Sequence, residues 1–429
     1  MTPSIAFIII RMNWYRVMAP VIDAALRRGW HVECWHDVGT PLPMRSQDFP
    51  SIESAPLFSS GSVKFREYRG AVELSGLVGE KLVDVVVNII TPVNAHKVNW
   101  PSKPARSLYV CLEPSPMDIF YNIIEPEVLR HVDMFALTTA YWREQGLFLM
   151  KEIKRIPVSD EMEEELRTKS VIVGWPQIDQ LSLIDAVAVR RRLGIPEKQP
   201  VVVYLNWVDC STLNLRMAFF SANSIRKKIG VVVQFISQLP RAVPYLLEPN
   251  LDQVGKAIRA FCDRNGAYLL VKCRHRDKAF PIEERIADRV IYDESYYPHT
   301  IHEVMSIASL SMGYFSFAVR ESVAARVPYL SLDVAGYADR IVFKESQPVY
   351  RELSKPDNLF NFSGVTCIMN GQEIIHDLPH KSLSDFQMNP KAFEEYYAKY
   401  LATPGVVNTE AFLDVVQSLI ERKRFTYDL

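Results

Sequence analysis

Two series of short apolar runs, each run separated from the next by a helix-length stretch, constrain this chain more than any other feature. Such alternation builds parallel strands, because a parallel neighbour can be reached only by a crossover that returns over the sheet. The first series predicts strands over residues 5–10, 31–35, 83–90, 107–112 and 134–138. A polar loop over 11–16 precedes a helix that ends at Gly29, with Val17, Val21, Ile22, Ala25 and Leu26 on its buried face. The second series predicts strands over 201–205, 268–272, 289–292, 310–314 and 329–332, with helices over 251–265, 300–308 and 319–326. From Asn389 onward the pattern is helical, with Phe412, Val415, Val416, Leu419 and Ile420 on one face behind a cap at Asn408. No short-period repeat is present, which disfavours a solenoid.

At 429 residues the chain exceeds what one hydrophobic core organises, so the two series read as two domains. Gly174 and Pro176, then Gly194-Ile195-Pro196, punctuate the interval between them and place a hinge between Gly174 and Pro200. The expected fold is α/β: two Rossmann-like domains, 1–180 and 181–388, with helices over 389–429 packing back on the body. Composition narrows the function classes. No apolar run is long enough to span a bilayer, and residues 1–14 lack the small-residue cleavage site of a secretory leader, so a cytoplasmic chain is expected. Six scattered cysteines without a CxxC pair indicate neither a zinc site nor a disulfide framework. A formal net charge of -1 argues against a general nucleic-acid binder.

Neither GxGxxG nor GxxxxGK[ST] occurs, so nicotinamide and P-loop readings lose their main support. In open α/β sheets ligands lie beyond the carboxyl ends of the strands, and five such positions in the second half carry unusual polar groups. They are Asn206 with Asp209, Arg274-His275-Arg276, the 293–297 stretch with Tyr296 and Tyr297, Ser316 with Glu321, and Asp333. The Ser316 hydroxyl and the turn after it could hold a phosphate, and Glu321, one turn on, could accept both hydroxyls of a ribose. The plainer alternative is a capping serine and a solvated glutamate. Lys272, Arg274, His275 and Arg276 gather positive charge at one strand end, where they could neutralise a diphosphate leaving group; pairing with Asp277 in a solvated loop is the alternative. Tyr296 and Tyr297 either stack on a base or pack in the core. In residues 141–156, Lys151, Lys154 and Arg155 beside apolar residues make either a basic face for an anionic membrane or the wet side of a core helix.

Three segments resemble the GT-B superfamily, in which two Rossmann-like lobes bind a nucleotide sugar between them. VIVGWPQIDQL resembles the interlobe G-x-P-x-x-D-x-L segment, LLVKCRHRDK the strand that ends in a functional histidine, and SFAVRESVAARVPYLSLD the serine–glutamate signature. Within the superfamily the chain is most similar to the branch of CDP-glycerol glycerophosphotransferases, sialic or Kdo-type capsule transferases and UDP-N-acetylglucosamine 2-epimerases. The resemblance implies a cleft between the lobes, an acceptor domain over 1–180 and a nucleotide-sugar domain over 181–388. It places Ser316 on a phosphate, Glu321 on the ribose and His275 on the phosphate or reacting centre; the strand-end residues Asn206, Lys272, Arg274 and Tyr296 are expected to complete the nucleotide site. Asn13, Arg16, His96, Glu113 and Asp118 follow strands of the first domain; Glu113 is the expected proton acceptor unless it only caps the turn before Pro114, and Asp209 is the alternative carboxylate or a nucleophile. Closure about the hinge would exclude water, the competing nucleophile.

Two departures bear on the activity. The epimerase Gly-Thr-Arg-Pro-Glu loop is replaced by residues 11–16, RMNWYR, and the H-x-E-A-G loop by Cys111-Leu112-Glu113-Pro114-Ser115. The Ser-Ser of the glycerophosphotransferases is absent, Tyr314 and Phe315 standing before Ser316. The resemblance therefore implies a glycosyltransferase of polysaccharide biosynthesis that needs neither metal nor cofactor, uses a glycan or lipid-linked acceptor, and works in the cytoplasm or in peripheral contact with the membrane. An epimerase-like isomerase and a non-catalytic nucleotide-sugar binding protein are the alternatives.

Overall fold

The structure is a computed structural model that describes residues 2–39, 50–81, 83–89, 107–113, 129, 131–148, 151–152, 157–206, 225–237, 251–273, 279–292, 295–333 and 351–427. The chain forms two units. One comprises Met1–Leu183, Ser295–Thr300 and Tyr397–Leu429; the other comprises Ile184–Glu294 and Ile301–Tyr396. Compared with the expected divisions at 180/181 and 388/389, the first unit takes in a short segment of the second half and the last part of the tail.

In the first unit seven strands, β1 (Ser4–Ile9), β2 (His31–Asp37), β3 (Lys64–Tyr68), β4 (Val85–Asn88), β5 (Leu108–Leu112), β6 (Met134–Leu137) and β7 (Ser170–Ile172), pair in the order β3-β2-β1-β4-β5-β6-β7. Every pairing is parallel. Period-two alternation divides the apolar residues between two faces. Val110, Leu112, Met134 and Ala136 join the larger core, whereas Cys111, Phe135 and Leu137 join a smaller one with Leu129, Leu147 and Leu166. Strand β3 was not expected, because KFREY has three charged residues in five; it forms at the sheet edge, where Arg66 meets Glu33 of β2 at 2.7 Å. Helix Tyr15–Arg27 begins inside the expected 11–16 loop, because the Tyr15 ring is buried and its hydroxyl meets Nε2 of His36 at 2.6 Å.

The C-terminal helix Asn408–Tyr427 belongs to this unit. Phe412, Leu413, Val416 and Ile420 are buried in its larger core, each contributing roughly 1.5–3 kcal/mol by the area it removes from water. Arg28 holds Glu410 and Asp414 at 2.7 Å each, but these half-exposed pairs are worth only about 0–1 kcal/mol, so apolar burial holds the helix. Its N-terminus is held by the 174–181 segment. Asp179 accepts the Thr409 backbone N–H and the Asn408 side-chain amide, both at 2.6 Å. The expected cap at Asn408 is thus supplied from far along the chain, and Asn408 acts as a donor. Gly174, at φ +80°, lies so close that a Cβ would overlap the Asn408 amide oxygen. Burial raises the Asp179 pKa, while the bonds from Thr409 and Asn408 pull it down.

The Ser295–Thr300 segment joins the first unit through its side chains. Tyr296 and Tyr297 pack on the larger core, the Tyr297 hydroxyl donates to Asp23 at 3.0 Å, and the His299 N–H donates to Oε1 of Gln180 at 2.6 Å.

In the second unit β8 (Val201–Leu205), β9 (Tyr268–Lys272), β10 (Arg289–Ile291), β11 (Leu310–Gly313), β12 (Tyr329–Asp333) and β13 (Thr366–Asn370) pair in the order β10-β9-β8-β11-β12-β13, again all parallel. Strand β13 was not expected from TCIMN, which shows no long apolar run; it pairs along five residues with β12. Both sheets therefore have the Rossmann order, with the chain reversing direction across the sheet between the first and fourth strands. Among the described residues no helix is long and apolar enough to cross a membrane.

The Asp179 bonds lead to a stability prediction. Asp179→Ala leaves the Thr409 N–H and the Asn408 amide without their acceptor and is expected to cost about 1–3 kcal/mol, read as a lower urea midpoint. Asp179→Asn, which keeps one acceptor oxygen, is expected to lose less. Equal midpoints for Asp179→Ala and the wild type would show that the helix is held without this clasp.

Candidate functional site

The carboxyl ends of β9, β8 and β11 surround the point where the second sheet reverses its strand order, the place where open α/β sheets bind ligands. Strand β8 is wholly buried and delivers Asn206, 4% exposed, directly beyond Leu205. Leu205 stands opposite Lys272 on one side and opposite Gly313 on the other. A side chain at Gly313 would be crowded: a Cβ would lie 3.0 Å from the Tyr329 hydroxyl and 3.1 Å from the Leu205 carbonyl oxygen. That close approach lets the Tyr329 hydroxyl donate to the Tyr314 carbonyl at 2.7 Å and fixes the turn that follows.

Ser316 sits half-buried in that turn, and its hydroxyl accepts the Ala318 N–H at 3.3 Å, at the start of helix Ala318–Ala324. Phe317, not Ser316, is the N-cap residue, and as the acceptor in the Ala318 bond Ser316 keeps its own O–H to donate. Glu321 lies in the first turn of the same helix, 9% exposed, beside the buried Arg320. Lys272 is 5% exposed and its Nζ donates to the Cys273 carbonyl at 2.6 Å, which draws the ammonium back along the end of β9. The structure thus brings Asn206, Lys272, Ser316 and Glu321 to one end of one sheet. Asp333 ends β12 at the same edge.

Asp209, Arg274 and His275, together with Arg276, His96 and Asp118, lie outside the described residues. Tyr296 is placed in the first unit, packed on its larger core. Glu113 also belongs to the first unit. It is 2% exposed, at the end of β5, and its carboxylate accepts the Thr138 N–H at 2.6 Å, tying that strand end to the end of β6. Asn13 and Arg16 stand half-buried after β1. Of the two alternatives for 141–156, the described residues fit a core helix: Trp142 of helix Ala140–Phe148 is buried and donates to the Tyr400 carbonyl at 2.9 Å, and the half-exposed Lys151 pairs with Glu163, while Lys154 and Arg155 lie outside the described residues.

One residue beneath the site escaped the sequence reading. Glu283, 3% exposed in helix Pro281–Ile286, accepts the Asn206 amide at 2.6 Å and the Phe280 N–H at 2.7 Å through one oxygen. The Asn206 amide also lies 3.7 Å from the Cys273 sulfur, so Glu283 joins the ends of β8 and β9 from below. Proline at the first helical position and glutamate at the third form a recognisable helix start in FPIEE, but nothing in the sequence tells that the glutamate turns inward toward Asn206.

Burial pushes the Glu283 carboxyl up to about 7, while bonds from the Phe280 N–H and the Tyr204 hydroxyl pull it down. The folded chain therefore holds this proton more tightly than the unfolded chain. Its stabilising contribution is complete below the ordinary carboxylate range and is lost as pH rises through about 7. Glu283→Gln retains an oxygen for Asn206 and Phe280 and cannot ionise. Its melting temperature, relative to the wild type, is expected to climb between about pH 5 and about pH 8; a constant offset would mean that the carboxyl does not titrate in this window.

No protein-family model and no curated protein matches the chain. Solved structures match it in fold along nearly its whole length. The wall teichoic acid polymerase TagF with CDPG is 11% identical and superposes with a TM-score of 0.56, covering 98% of this chain and 89% of its own. The S. aureus MnaA–UDP structure is 11% identical, with a TM-score of 0.53 and coverage of 98% and 97%. The Neisseria meningitidis UDP-GlcNAc 2-epimerase bound to UDP-GlcNAc is 10% identical, with a TM-score of 0.53 and coverage of 96% and 99%. With two parallel, doubly wound sheets and a helical C-terminal region in common with these proteins, the chain has the GT-B-like fold.

Proposed function

We propose that the chain is a metal-independent glycosyltransferase that moves a sugar or sugar-like group from a nucleotide-activated donor to a glycan or lipid-linked hydroxyl, in surface polysaccharide synthesis. The observation that carries this reading is the meeting of Asn206, Lys272, Ser316 and Glu321 at the strand-order reversal of the second sheet. The similar structures lend support through the UDP, UDP-GlcNAc and CDPG named with them.

In this reading the Ser316 O–H donates to a donor phosphate and Glu321 accepts the ribose hydroxyls. Lys272, Arg274 and His275 take up the charge that grows on the leaving nucleotide as its bond to the transferred group breaks. They serve the purpose for which other transferases hold a cation between paired aspartates, and the sequence has no DxD pair. The acceptor oxygen forms the new bond as its proton passes to a carboxylate. Glu113 and Asp209 are the candidates. Because Glu113 is almost wholly buried and already accepts the Thr138 N–H, it serves as base only for an acceptor that reaches the end of β5.

A thermal-shift screen with CMP, CDP, UMP, UDP, GDP and ADP tests the nucleotide site. One nucleotide is expected to raise the melting temperature, with its affinity falling at least about tenfold in Ser316→Ala and in Glu321→Ala. No shift with any of the six would end the nucleotide reading. With the matching donor, turnover that requires an acceptor supports transfer. Turnover of donor alone, with solvent deuterium entering a sugar C–H position, supports the isomerase, and binding without turnover a sensor.

A further inference from the structure

Helix Ile225–Ser237, in the second unit, turns an apolar stripe toward solvent. Ile225 is 79% exposed, and Ile229, Val233 and Ile236 are 59% exposed each. At 3.6 residues per turn these four side chains fall within an arc of about 80°, the face that a helix of a globular protein ordinarily buries. Scattered single apolar residues on a surface need no explanation, but four on one continuous helical face do.

The charges of the same helix indicate what would cover that face. Arg226, Lys227 and Lys228 occupy its first turn, and it contains no aspartate or glutamate. On the helical projection Arg226 and Lys228 flank the stripe, one on each side. A second copy of this chain, or an apolar protein groove, could bury the isoleucines and valines, but neither calls for a cationic turn beside them.

We propose that this helix face docks on an anionic membrane surface, with Ile225, Ile229, Val233 and Ile236 entering the boundary between headgroups and acyl chains and the basic first turn lying over anionic headgroups. This surface differs from the 141–156 stretch, whose helix buries Trp142 and Leu147. Delivery of the chain to a lipid-linked acceptor rests on the function proposed above; the docking itself does not, and it is measured without nucleotide.

Flotation of the full chain with vesicles tests it. The wild type is expected to bind vesicles of phosphatidylcholine mixed with phosphatidylglycerol, to bind phosphatidylcholine alone at least about tenfold more weakly, and to be released by salt. Ile229→Glu/Val233→Glu and, separately, Arg226→Glu/Lys228→Glu are each expected to reduce binding at least about tenfold. Ile229→Ala/Val233→Ala, which cannot disturb a buried core, is expected to reduce it by a smaller factor with an unchanged melting curve. Absence of wild-type binding, equal binding to both vesicle types, or variants that bind like the wild type would each overturn the proposal. So would a reversible dimer that the variants dissociate in a chain that binds no vesicles, since the face would then be covered by a second copy.

Discussion

The first unit depends on a clasp between two parts of the chain more than two hundred residues apart. Asp179 presents its carboxylate to the start of helix Asn408–Tyr427, and Gly174 makes the room for that approach. With the helix start held, Phe412, Leu413, Val416 and Ile420 complete the core that β1, β2, β4 and β5 leave open on one side. The hydrogen bonds do not supply most of the energy, which comes from apolar burial. They decide which residues of an amphipathic helix meet the core, because the turn at 174–181 admits one alignment of Asn408 and Thr409.

A comparable arrangement of small groups organises the second sheet's carboxyl edge. Gly313 lets β8, β11 and β12 approach closely enough for Tyr329 to hold the Tyr314 carbonyl, and Glu283 draws Asn206 toward Cys273. None of these groups needs to touch a ligand. They set the positions of Asn206 and of the turn that carries Ser316, groups proposed to meet the nucleotide, and a polar group held this rigidly forms its bonds to a ligand with little further loss of entropy.

The fold was largely legible in the sequence because parallel strands buried on both faces leave an unbroken apolar run. IAFII in β1, VVVYL in β8 and YLLV in β9 could be read directly. Two of the edge strands leave no such run: KFREY and TCIMN became strands because a neighbour's free edge was there to pair with. Part of the candidate site was legible in the same way, since Ser316 and Glu321 follow a strand and open a helix. Tyr296 is the candidate for which base stacking and core packing were equally open. It follows a strand as the other candidates do, yet it packs on the core of the first unit, and nothing local distinguishes it.

By itself the sequence determined two parallel α/β units, the strands nearest their centres, the amphipathic helix that ends the chain and the serine–glutamate pair at a strand end, because each depends on patterns within a few residues. Only the tertiary structure decided that Asp179 holds the C-terminal helix, that Glu283 turns inward to Asn206 and that the stripe on helix Ile225–Ser237 meets solvent and not core. The physical reason is the same in all three. Hydrogen bonding and burial are properties of what lies opposite a side chain, and in a chain whose parallel strands must be joined by long crossovers, what lies opposite is seldom near in sequence.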